Sequence, residues 1–260
     1  MEQKNPVQSA DRIFHVFETI AEAGPIGLME LSDHLNLHKS TIHRLLTSLT
    51  YMGYVEQDEE TNKYRLTFKI VELSGKFLAR VDIWSMAHPY MEKLANQCRE
   101  TVHLVQRSGA NVIYIDKVIP LITRDTSIQM GSQVGLARPM YCSAVGKSIL
   151  AGMPVDEVKD IWDNSLIEKK TENTILSLEE LLKELEQVRE NGYALDNEEN
   201  EIGVRCIGAG IFNHDGQVKY AFSVSAPAYR MPDEKIEEIR EYILDVKKEL
   251  SIKLGYKNNK

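Results

Sequence analysis

The sequence predicts an α+β protein with a small helical N-terminal unit and a larger unit of mixed strands and helices. Three observations lead to this prediction. Residues 9–52 contain three apolar stripes at helical spacing, which end at Gly24-Pro25, at Asn36 and at Gly53. Residues 54–66 read as two short strands around a polar turn. From residue 102 onward, strand and helix patterns alternate over a length that can bury a core of its own.

The composition is that of an ordinary folded protein with an acidic balance. Of the 260 residues, 43% are hydrophobic and 27% are charged, and the net charge is −8 with a pI near 5.5. Acidic residues also outnumber basic ones within residues 1–66. The bulk charge would repel phosphates, so any contact with a nucleic acid has to come from a local surface.

The sequence indicates neither a targeting segment nor metal chemistry. Residues 1–12 lack an apolar stretch, and no apolar run approaches the roughly 18 residues that a membrane span needs. Cys98, Cys142 and Cys206 lie far apart, are odd in number and show no metal-ligand spacing. We therefore expect a cytoplasmic protein with no membrane contact, no disulfide framework, no metal and no cofactor.

The best-defined feature of the N-terminal unit is a pair of short amphipathic helices in residues 28–55. Leu28, Leu31 and Leu35 form the first apolar stripe. The second stripe consists of Ile42, Leu45, Leu46, Leu49 and Met52. Two such helices joined by a tight turn are typical of a helix-turn-helix. A preceding helix, with Ser9 as its predicted N-cap, would brace the pair.

The polar face of the second of these helices carries no acid. Between His34 and Val55 the sequence contains neither Asp nor Glu, whereas the rest of the chain mixes both signs. Hydroxyl and basic side chains on one helix suit phosphates and base edges. The residues predicted to contact DNA are Ser40, Thr41, His43, Arg44 and Ser48 at or near the bases, and Arg12, Lys39 and Lys63 at phosphates. On spacing and charge alone, a helical hairpin packed inside a larger domain remains an alternative.

The hairpin of residues 54–66 is predicted to be a wing, which would bring Lys63 and Arg65 near a DNA backbone, although an ordinary β-turn is equally compatible. Residues 68–83 predict a helix that links this unit to the rest. The predicted domains are therefore a winged helix-turn-helix in residues 1–67, a linker helix in residues 68–84 and a second domain in residues 85–260.

The larger unit shows clear start and stop signals. Helices are predicted in residues 87–99, 143–151, 177–191 and 233–254, and strands in residues 102–105, 112–118, 193–196, 206–212 and 218–224. Ser177 and Glu180 form a capping box, and the turn Asn213-His214-Asp215-Gly216 predicts a hairpin. Gly146 is predicted to allow close packing of its helix. We expect helices on one side of a mostly antiparallel sheet.

Taken together, the chain resembles the IclR family of bacterial transcription regulators over residues 7 to about 255. The N-terminal motifs that carry the resemblance are Gln8-Ser9-Ala10-Asp11-Arg12 and Lys39-Ser40-Thr41-Ile42-His43-Arg44-Leu45-Leu46. The C-terminal motifs are Arg138-Pro139, Gly146-Lys147, Gly203-Val204-Arg205-Cys206-Ile207 and Ser223-Val224-Ser225. The resemblance is to sugar-acid-responsive members in particular. It implies a GAF-like effector-binding domain that takes a small carboxylic acid and thereby alters operator binding.

The resemblance also implies an effector pocket. The residues that match it are Met130, Arg138, Ala144, Val145, Asp196, Cys206, Ser223 and Ser225. The chemistry of the set is consistent with this, because Ser223 and Ser225 are two apart on a strand and face the same side. The helix beginning near Ser143 offers free backbone N–H groups to an anion. Without the family, Ser223 and Ser225 would be ordinary strand hydroxyls.

Arg138 stands where family members that take very small acids tend to have an apolar side chain. A guanidinium can hold a carboxylate in bidentate fashion, and Asp196 opposite it would accept hydrogen bonds from ligand hydroxyls. A hydroxylated acid such as a 2-keto-3-deoxy sugar acid is therefore expected. Alternatively, Arg138 pairs with a surface acid.

The leading functional prediction is a ligand-responsive DNA-binding transcriptional regulator that represses a catabolic operon. It would bind a palindromic double-stranded DNA operator as a homodimer, and the family resemblance implies that a dimer of dimers can form. The alternative is a cysteine-dependent enzyme acting on a small acid, with Cys206 as nucleophile and His103 or His214 as base. The sequence places neither histidine near Cys206, and no catalytic signature surrounds them. A helix-turn-helix that serves only protein contacts is a third possibility.

Overall fold

The computed structural model describes residues 7–78, 82–121 and 131–257. The chain divides into two compact units, Met1–Val81 and Asp82–Lys260. The first unit is helical with a small hairpin, and the second contains a sheet with helices. The α+β class predicted from the sequence is confirmed.

The described part of the N-terminal unit contains four helices and two strands. They are α1 (Gln8–Ala23), α2 (Leu28–Leu35), α3 (Lys39–Tyr51), β1 (Val55–Gln57), β2 (Tyr64–Leu66) and α4 (Lys69–Leu78). The predicted N-cap at Ser9 is wrong, because α1 begins at Gln8 and Val7 occupies the cap without a side-chain hydrogen bond. Gly24 ends α1 with φ at +71°, a conformation that glycine adopts without strain.

The helix-turn-helix is confirmed in α2 and α3. Asn36 follows α2 in the left-handed region at φ +49°, which short polar side chains tolerate, and α3 begins three residues later. Ile42, Leu46 and Leu49 on one face of α3 are buried against α1 and α2. The opposite face of α3 is thereby left to solvent.

The predicted hairpin after α3 is confirmed as an antiparallel pair, with Val55 opposite Leu66 and Gln57 opposite Tyr64. Ile26 forms a β-bridge with Tyr64, so the turn between α1 and α2 adds to this small sheet. The sequence pattern did not indicate that addition. In the connecting turn, Asp58 Oδ1 accepts hydrogen bonds from the backbone N–H groups of Glu60 and Thr61.

The predicted helix of residues 68–83 is only partly matched. Helix α4 covers Lys69–Leu78, residues 79–81 lie outside the described part, and the next helix, α5, is Asp82–Cys98. That next helix therefore begins five residues before the predicted start at Ala87.

The described part of the C-terminal unit is built on a six-stranded sheet. Its strands are β3 (Thr101–Ser108), β4 (Asn111–Val118), β5 (Ala137–Pro139), β6 (Ala194–Asn197), β7 (Val204–Phe212) and β8 (Val218–Pro227). The order across the sheet is β5-β4-β3-β8-β7-β6, and all neighbouring pairs are antiparallel. Besides α5, the helices are α6 (Ala144–Ala151), α7 (Val155–Asp163), α8 (Leu178–Asn191) and α9 (Asp233–Lys253). The short β5 and α7 were not predicted.

Helices cover both faces of this sheet, so the expectation that they lie on one side is wrong. A Cβ at Gly208 or Gly210 of β7 would come within 3.4 Å or 3.0 Å of the backbone of α6, which places α6 on that face. The alternating residues Ile207, Ala209 and Ile211 point to the other face and are fully buried, where α9 packs on β7 and α5 packs on β3. The sequence could not show that helices cover both faces, because the pattern of a strand shows only which of its faces are apolar and not what packs on them.

Several predictions from local sequence patterns in the larger unit are confirmed. Ser177 caps α8 by accepting from Glu180 N–H at 3.2 Å, and Gly192 ends α8 at φ +81°. A Cβ on Gly146 would lie 2.3 Å from Met140 Cα, so the close packing predicted at Gly146 is confirmed. The first turn of α6 lines the candidate site described below.

Candidate functional site: an exposed helix face and a buried cavity

The exposed face of α3 presents the polar residues predicted to contact DNA. Lys39, Ser40, His43, Arg44 and Ser48 are exposed and Thr41 is half-buried. Lys39 and Arg44 have neither a hydrogen-bond partner nor an ion-pair partner among the described side chains. The face is therefore a cationic and hydroxyl surface without internal neutralisation.

The start of α3 is held by its own side chains. His38 is the N-cap, its Nδ1 lies 2.7 Å from Ser40 Oγ and it accepts from Ser40 N–H at 3.3 Å. Thr47 Oγ donates to His43 O at 2.8 Å. Ser40 is thus engaged in capping as well as exposed, which fixes its hydroxyl near the helix N-terminus.

Tyr51 was missed by the sequence analysis although it belongs to the same helix. Its side chain is 92% exposed at the last residue of α3. Single exposed apolar side chains are common on protein surfaces, so the exposure of Tyr51 is not by itself evidence of a contact. The exposure was indicated by the sequence, since Tyr51 falls outside the apolar stripe of that helix.

The phosphate-contact candidates outside α3 differ in their surroundings. Arg12 is half-buried on α1 and Lys63 is exposed on the hairpin, and neither has an ion-pair partner among the described residues. Arg65 Nε, in contrast, donates to Glu56 Oε1 at 2.8 Å. The turn itself carries Asp58, Glu59 and Glu60, so only the Lys63 side of this hairpin suits an anionic partner.

In the C-terminal unit, the predicted pocket residues converge on one cavity, which we call the effector cavity. Its walls are formed by His103, Tyr114, Gly131, Ser132, Arg138, Ser143, Ala144, Val145, Asp196, Asn200, Glu201, Val204, Cys206, Ser223 and Ser225. Every predicted pocket residue that the structure describes is among them. Met130, the remaining one, lies outside the described residues. The volume is about 40 Å³, room for about three water molecules.

The N-terminus of α6 forms one wall of the effector cavity. Ser143 is the N-cap and its Oγ accepts from Gly146 N–H at 3.2 Å, while Lys147 N–H makes the first backbone bond of the helix to Ser143 O at 2.8 Å. The N–H groups of Ala144 and Val145 precede that bond and are left for a ligand. Together with the helix dipole they favour an oxyanion.

The floor of the effector cavity is a set of strand residues. Ser223 and Ser225 lie on one side of β8 with their hydroxyl oxygens 3.4 Å apart, as their spacing predicted. Cys206 lies opposite Ser225 in the β7–β8 register and opposite Asp196 in the β6–β7 register. Three strands thus deliver a hydroxyl pair, a thiol and a carboxyl to one place.

His103 is a cavity residue that the sequence analysis did not place there. It lies opposite Ser223 in the β3–β8 register, its Nδ1 is 3.3 Å from Ser225 Oγ and its Nε2 is 2.6 Å from Ser132 Oγ. Burial, with the charge of Lys117 nearby, lowers the pKa of His103 to about 3, so the ring is neutral. Only the pairing of β3 with β8, 120 residues apart in the chain, reveals this neighbour.

Two acidic residues, Asp196 and Glu201, line the effector cavity. Burial, reinforced by the charge of Glu199, raises the pKa of Asp196 to about 7. Asp196 Oδ1 accepts from Glu199 N–H at 2.8 Å. The Glu199 side chain is in turn paired with the buried Lys147 at 2.6 Å. Asp196 is therefore able to accept or, when protonated, to donate a hydrogen bond.

Arg138 has no ion-pair partner among the residues that the structure describes. It is half-buried at the cavity wall, and its only hydrogen bond among the described residues is a long one of 3.5 Å to Ala137 O. The alternative that Arg138 pairs with a surface acid is not borne out among those residues.

The enzyme alternative requires Cys206 and a histidine to be close together and to ionise as a pair. The structure meets the first requirement but does not favour the second. Cys206 and His103 both line the effector cavity, whereas His214 lies exposed in the β7–β8 turn. Burial raises the pKa of the Cys206 thiol and lowers that of His103, which opposes formation of a thiolate and an imidazolium. The arrangement lacks an activated nucleophile.

No cluster of three or more His, Cys, Asp or Glu side chains suited to a metal occurs in the part of the chain that the structure describes. Within that same part, no helix combines the length and apolar character of a membrane span.

Comparisons with known proteins cover both units. A family profile described as "Bacterial transcriptional regulator IclR C-terminal" matches residues 75–252, and one described as "IclR helix-turn-helix domain" matches residues 9–59. The chain is 36% identical over 254 residues to the HTH-type transcriptional regulator KdgR of Escherichia coli strain K12, covering 98% of this chain and 95% of that protein.

Two further relatives extend the likeness. The chain is 30% identical over 252 residues to the transcriptional repressor IclR of the same strain, covering 96% of this chain and 90% of that protein. The crystal structure of the Thermotoga maritima IclR matches with a TM-score of 0.78 at 34% identity, covering 95% of this chain and 99% of that one.

Proposed function

This chain belongs to the IclR family of bacterial transcriptional regulators, and from this membership we propose that it is a repressor whose operator binding is altered by a small hydroxylated carboxylic acid in the effector cavity. The observation that carries the proposal is the convergence of Arg138, the start of α6, Asp196 and the Ser223–Ser225 pair on that cavity. DNA binding and transcriptional regulation follow from the family. The direction of regulation and the class of effector are the proposal.

The DNA-binding half is supported by the surface of α3. Its face is acid-free in a chain of net charge −8, and the Arg44 and Lys39 side chains have no intramolecular partner among the described residues. A helix of this kind lies in the major groove, where Arg reads guanine in bidentate fashion and Lys binds phosphates. Ser40, Thr41, His43 and Ser48 complete the reading face, and Arg12 and Lys63 flank it.

A carboxylate effector is supported by donors that surround one space. The N–H groups of Ala144 and Val145 at the helix start suit carboxylate oxygens, as does the guanidinium of Arg138, which has no ion-pair partner among the described residues. Ser223, Ser225 and Asp196 are suited to ligand hydroxyls. A 2-keto-3-deoxy sugar acid combines both sets of groups, which is why we favour it.

Binding such a ligand requires movement. The effector cavity of about 40 Å³ is smaller than a six-carbon acid. The proposal therefore requires the walls of the effector cavity to move apart when such a ligand enters. A ligand shifts a conformational equilibrium only by its differential affinity for the two states, and an enlarged cavity supplies that difference.

A palindromic operator and a homodimer or dimer of dimers complete the proposal. One recognition helix contacts too few base pairs for specificity, whereas two copies related by a two-fold axis read both halves of a palindrome. No partner beyond DNA, the acid and further copies of the chain is needed.

A thermal-shift screen of the full chain tests the effector proposal. Small acids with and without hydroxyls are titrated against wild type and Ser225→Ala, with Ser108→Ala at the exposed end of β3 as the matched control. We expect a hydroxylated acid to raise the Tm of wild type and the control in a saturable way and to act much more weakly on Ser225→Ala. Equal responses of all three proteins would contradict the assignment of the site.

A further inference from the structure

A second and larger cavity lies at the free edge of the sheet in the C-terminal unit. Strand β6 pairs with β7 only as far as Gly208, so residues 209–212 of β7 form an edge on that side. The space beside this edge has a volume of about 310 Å³, at the lower end of the range for small-molecule sites. It is lined by Ser148, Ala151, Gly152, Val188, Arg189, Gly192, Gly210, Phe212 and Lys247, and we call it the edge cavity.

The charged lining of the edge cavity is entirely cationic. Arg189 at the end of α8 and Lys247 of α9 line it, and no carboxylate does among the residues described. Neither cation forms an ion pair with another described residue. Burial lowers the pKa of Lys247. An ammonium held in a partly desolvated place without a counterion is a cost that a bound anion would offset.

Both cations are held in place by backbone carbonyls and keep donors to spare. Arg189 Nε donates to Ala151 O at 2.8 Å, which leaves the two terminal guanidinium nitrogens without a described acceptor. Lys247 Nζ donates to Gly192 O at 2.7 Å and lies 5.2 Å from the centroid of the Phe212 ring. Fixing the donors in this way reduces the entropy that a ligand has to overcome.

Apart from Ser148, whose hydroxyl donates to Gly208 O at 3.1 Å, the remaining walls are apolar and closely packed. Phe212 stacks on Tyr256 with ring centroids 4.9 Å apart. Gly152 and Gly210 line the space, and a Cβ at either would come within 2.5 Å of the Val218 side chain. Val188 and Ala151 supply further apolar surface. The cavity thus combines two fixed cations with a largely apolar wall that includes the Phe212 side chain.

We propose that the edge cavity is a second ligand site, distinct from the effector cavity, that binds a small organic oxyanion through Arg189 and Lys247 while the body of the ligand packs on Phe212. The oxyanion is a carboxylate or a phosphate ester, since Arg and Lys bind both. The inference is independent of the identity of the effector.

The two cavities share structural elements. Helix α6 lines the effector cavity with Ala144 and Val145 and the edge cavity with Ser148 and Ala151. Strand β7 lines the first with Cys206 and the second with Gly210 and Phe212. An occupant of the edge cavity therefore contacts the same helix and strand that shape the effector cavity.

Calorimetric titration of the full chain tests the proposal with three probes: benzoate, phenyl phosphate, and benzyl alcohol as a neutral ring, all at matched ionic strength. The variants are Arg189→Gln and Lys247→Met, which keep most of each side-chain stem, with Lys248→Gln on the exposed face of α9 as the matched control. Arg138→Ala is included to detect binding in the effector cavity.

We expect benzoate, phenyl phosphate or both to bind saturably to wild type, Lys248→Gln and Arg138→Ala, and about tenfold or more weakly to Arg189→Gln and Lys247→Met. Benzyl alcohol is expected not to bind. The two anions distinguish a carboxylate site from a phosphate site. Saturable shifts of the Gly152, Gly192 and Gly210 amide resonances of wild type, followed by NMR, locate the ligand even if a variant fails to fold.

Three outcomes would overturn the proposal. They are absence of saturable anion binding, binding that Arg138→Ala abolishes while Lys247→Met keeps it, and binding that leaves the three glycine resonances unmoved. The second outcome would leave the effector cavity intact as a carboxylate site, so failure here is distinguishable from failure of the proposed function.

Discussion

Lys147 and Glu199 form an ion pair in the interior of the C-terminal unit, with Nζ 2.6 Å from Oε1 and the lysine side chain 1% exposed. Glu184 Oε1 is the second acceptor, at 2.9 Å. The backbone N–H of Glu199 also donates to Asp196, so the ion pair helps to position a residue that lines the effector cavity. A buried pair of this kind is costly to break on one side only, because the remaining charge is left without a partner.

Replacing Lys147 by Met is therefore expected to lower the free energy of unfolding of the C-terminal unit by about 3–5 kcal/mol. Both tryptophans, Trp84 and Trp162, belong to this unit, so tryptophan fluorescence in urea reports on it. Lys183→Met breaks an exposed pair with Glu179 and should cost less than about 1 kcal/mol. The double variant Lys147→Met/Glu199→Gln should recover much of the loss; a double variant no more stable than the single one would contradict this reading.

The raised pKa of Asp196 predicts a pH dependence of stability. Because the pKa is about 7 in the folded chain against an ordinary value of 3.8, the folded state binds more protons between about pH 4 and pH 7. The contribution of Asp196 to the free energy of unfolding therefore falls as pH rises through that window.

Asp196→Asn removes this ionisation while keeping an oxygen to accept from Glu199 N–H. We expect its stability relative to wild type to increase from pH 5 to pH 8, by up to a few kcal/mol. Urea unfolding at both pH values measures this, with Asp245→Asn on the exposed side of α9 as control. The same difference from wild type at pH 5 and at pH 8 would show that Asp196 ionises normally.

Arg44 is expected to read bases. Arg44→Ala should weaken binding to the specific operator by about 1–3 kcal/mol and leave binding to unrelated DNA nearly unchanged. Competition binding with operator and random duplexes measures the two affinities. Lys76→Ala, whose side chain pairs with Glu72 on α4, is the control in the same unit. Uniform weakening on both duplexes would demote Arg44 to a phosphate contact.

Lys39 and Lys63 are expected to contact phosphates instead. Alanine at either position should weaken specific and unspecific binding alike, and should lower the slope of log K against log salt by about one. A titration of binding against salt concentration provides the slope. An unchanged slope for Lys63→Ala would indicate that the acidic turn beside it keeps the hairpin away from DNA.

Arg138→Ala tests the carboxylate grip in the effector cavity. We expect the thermal shift caused by an acid that stabilises wild type to be lost or strongly reduced, because a charge-assisted hydrogen bond is removed. Lys219→Ala on the exposed side of β8 removes the same charge elsewhere and should respond like wild type. If Arg138→Ala responds like wild type too, Arg138 has no part in effector binding.

The sequence was sufficient where one element carries its own signal. The stripes of α2 and α3, the cap at Ser177 and the β7–β8 hairpin were predicted from local spacing and are present. The acid-free face of α3 was visible as a gap in the acidic residues. The pocket residues came from the family resemblance rather than from spacing, and the fold brings all the described ones together.

What the sequence could not provide depends on contacts between distant segments. His103 reaches the effector cavity through the register of β3 with β8, and Lys147 is buried because two glutamates from other segments meet it. Lysine is usually a surface residue, so the sequence did not indicate that Lys147, named only as part of a family motif, is buried. The edge cavity depends on where β6 stops, which strand patterns do not define.

The most direct test of regulation through the C-terminal unit is the affinity of the full chain for the DNA upstream of its own gene. Fluorescence anisotropy at low ionic strength measures this affinity with and without the acid found by thermal shift. We predict salt-dependent binding that is specific over random DNA, that the acid changes at least fivefold for wild type, and that it does not change for Arg138→Ala. Absence of specific binding under both conditions, or an affinity that the acid leaves unchanged in wild type, would contradict it.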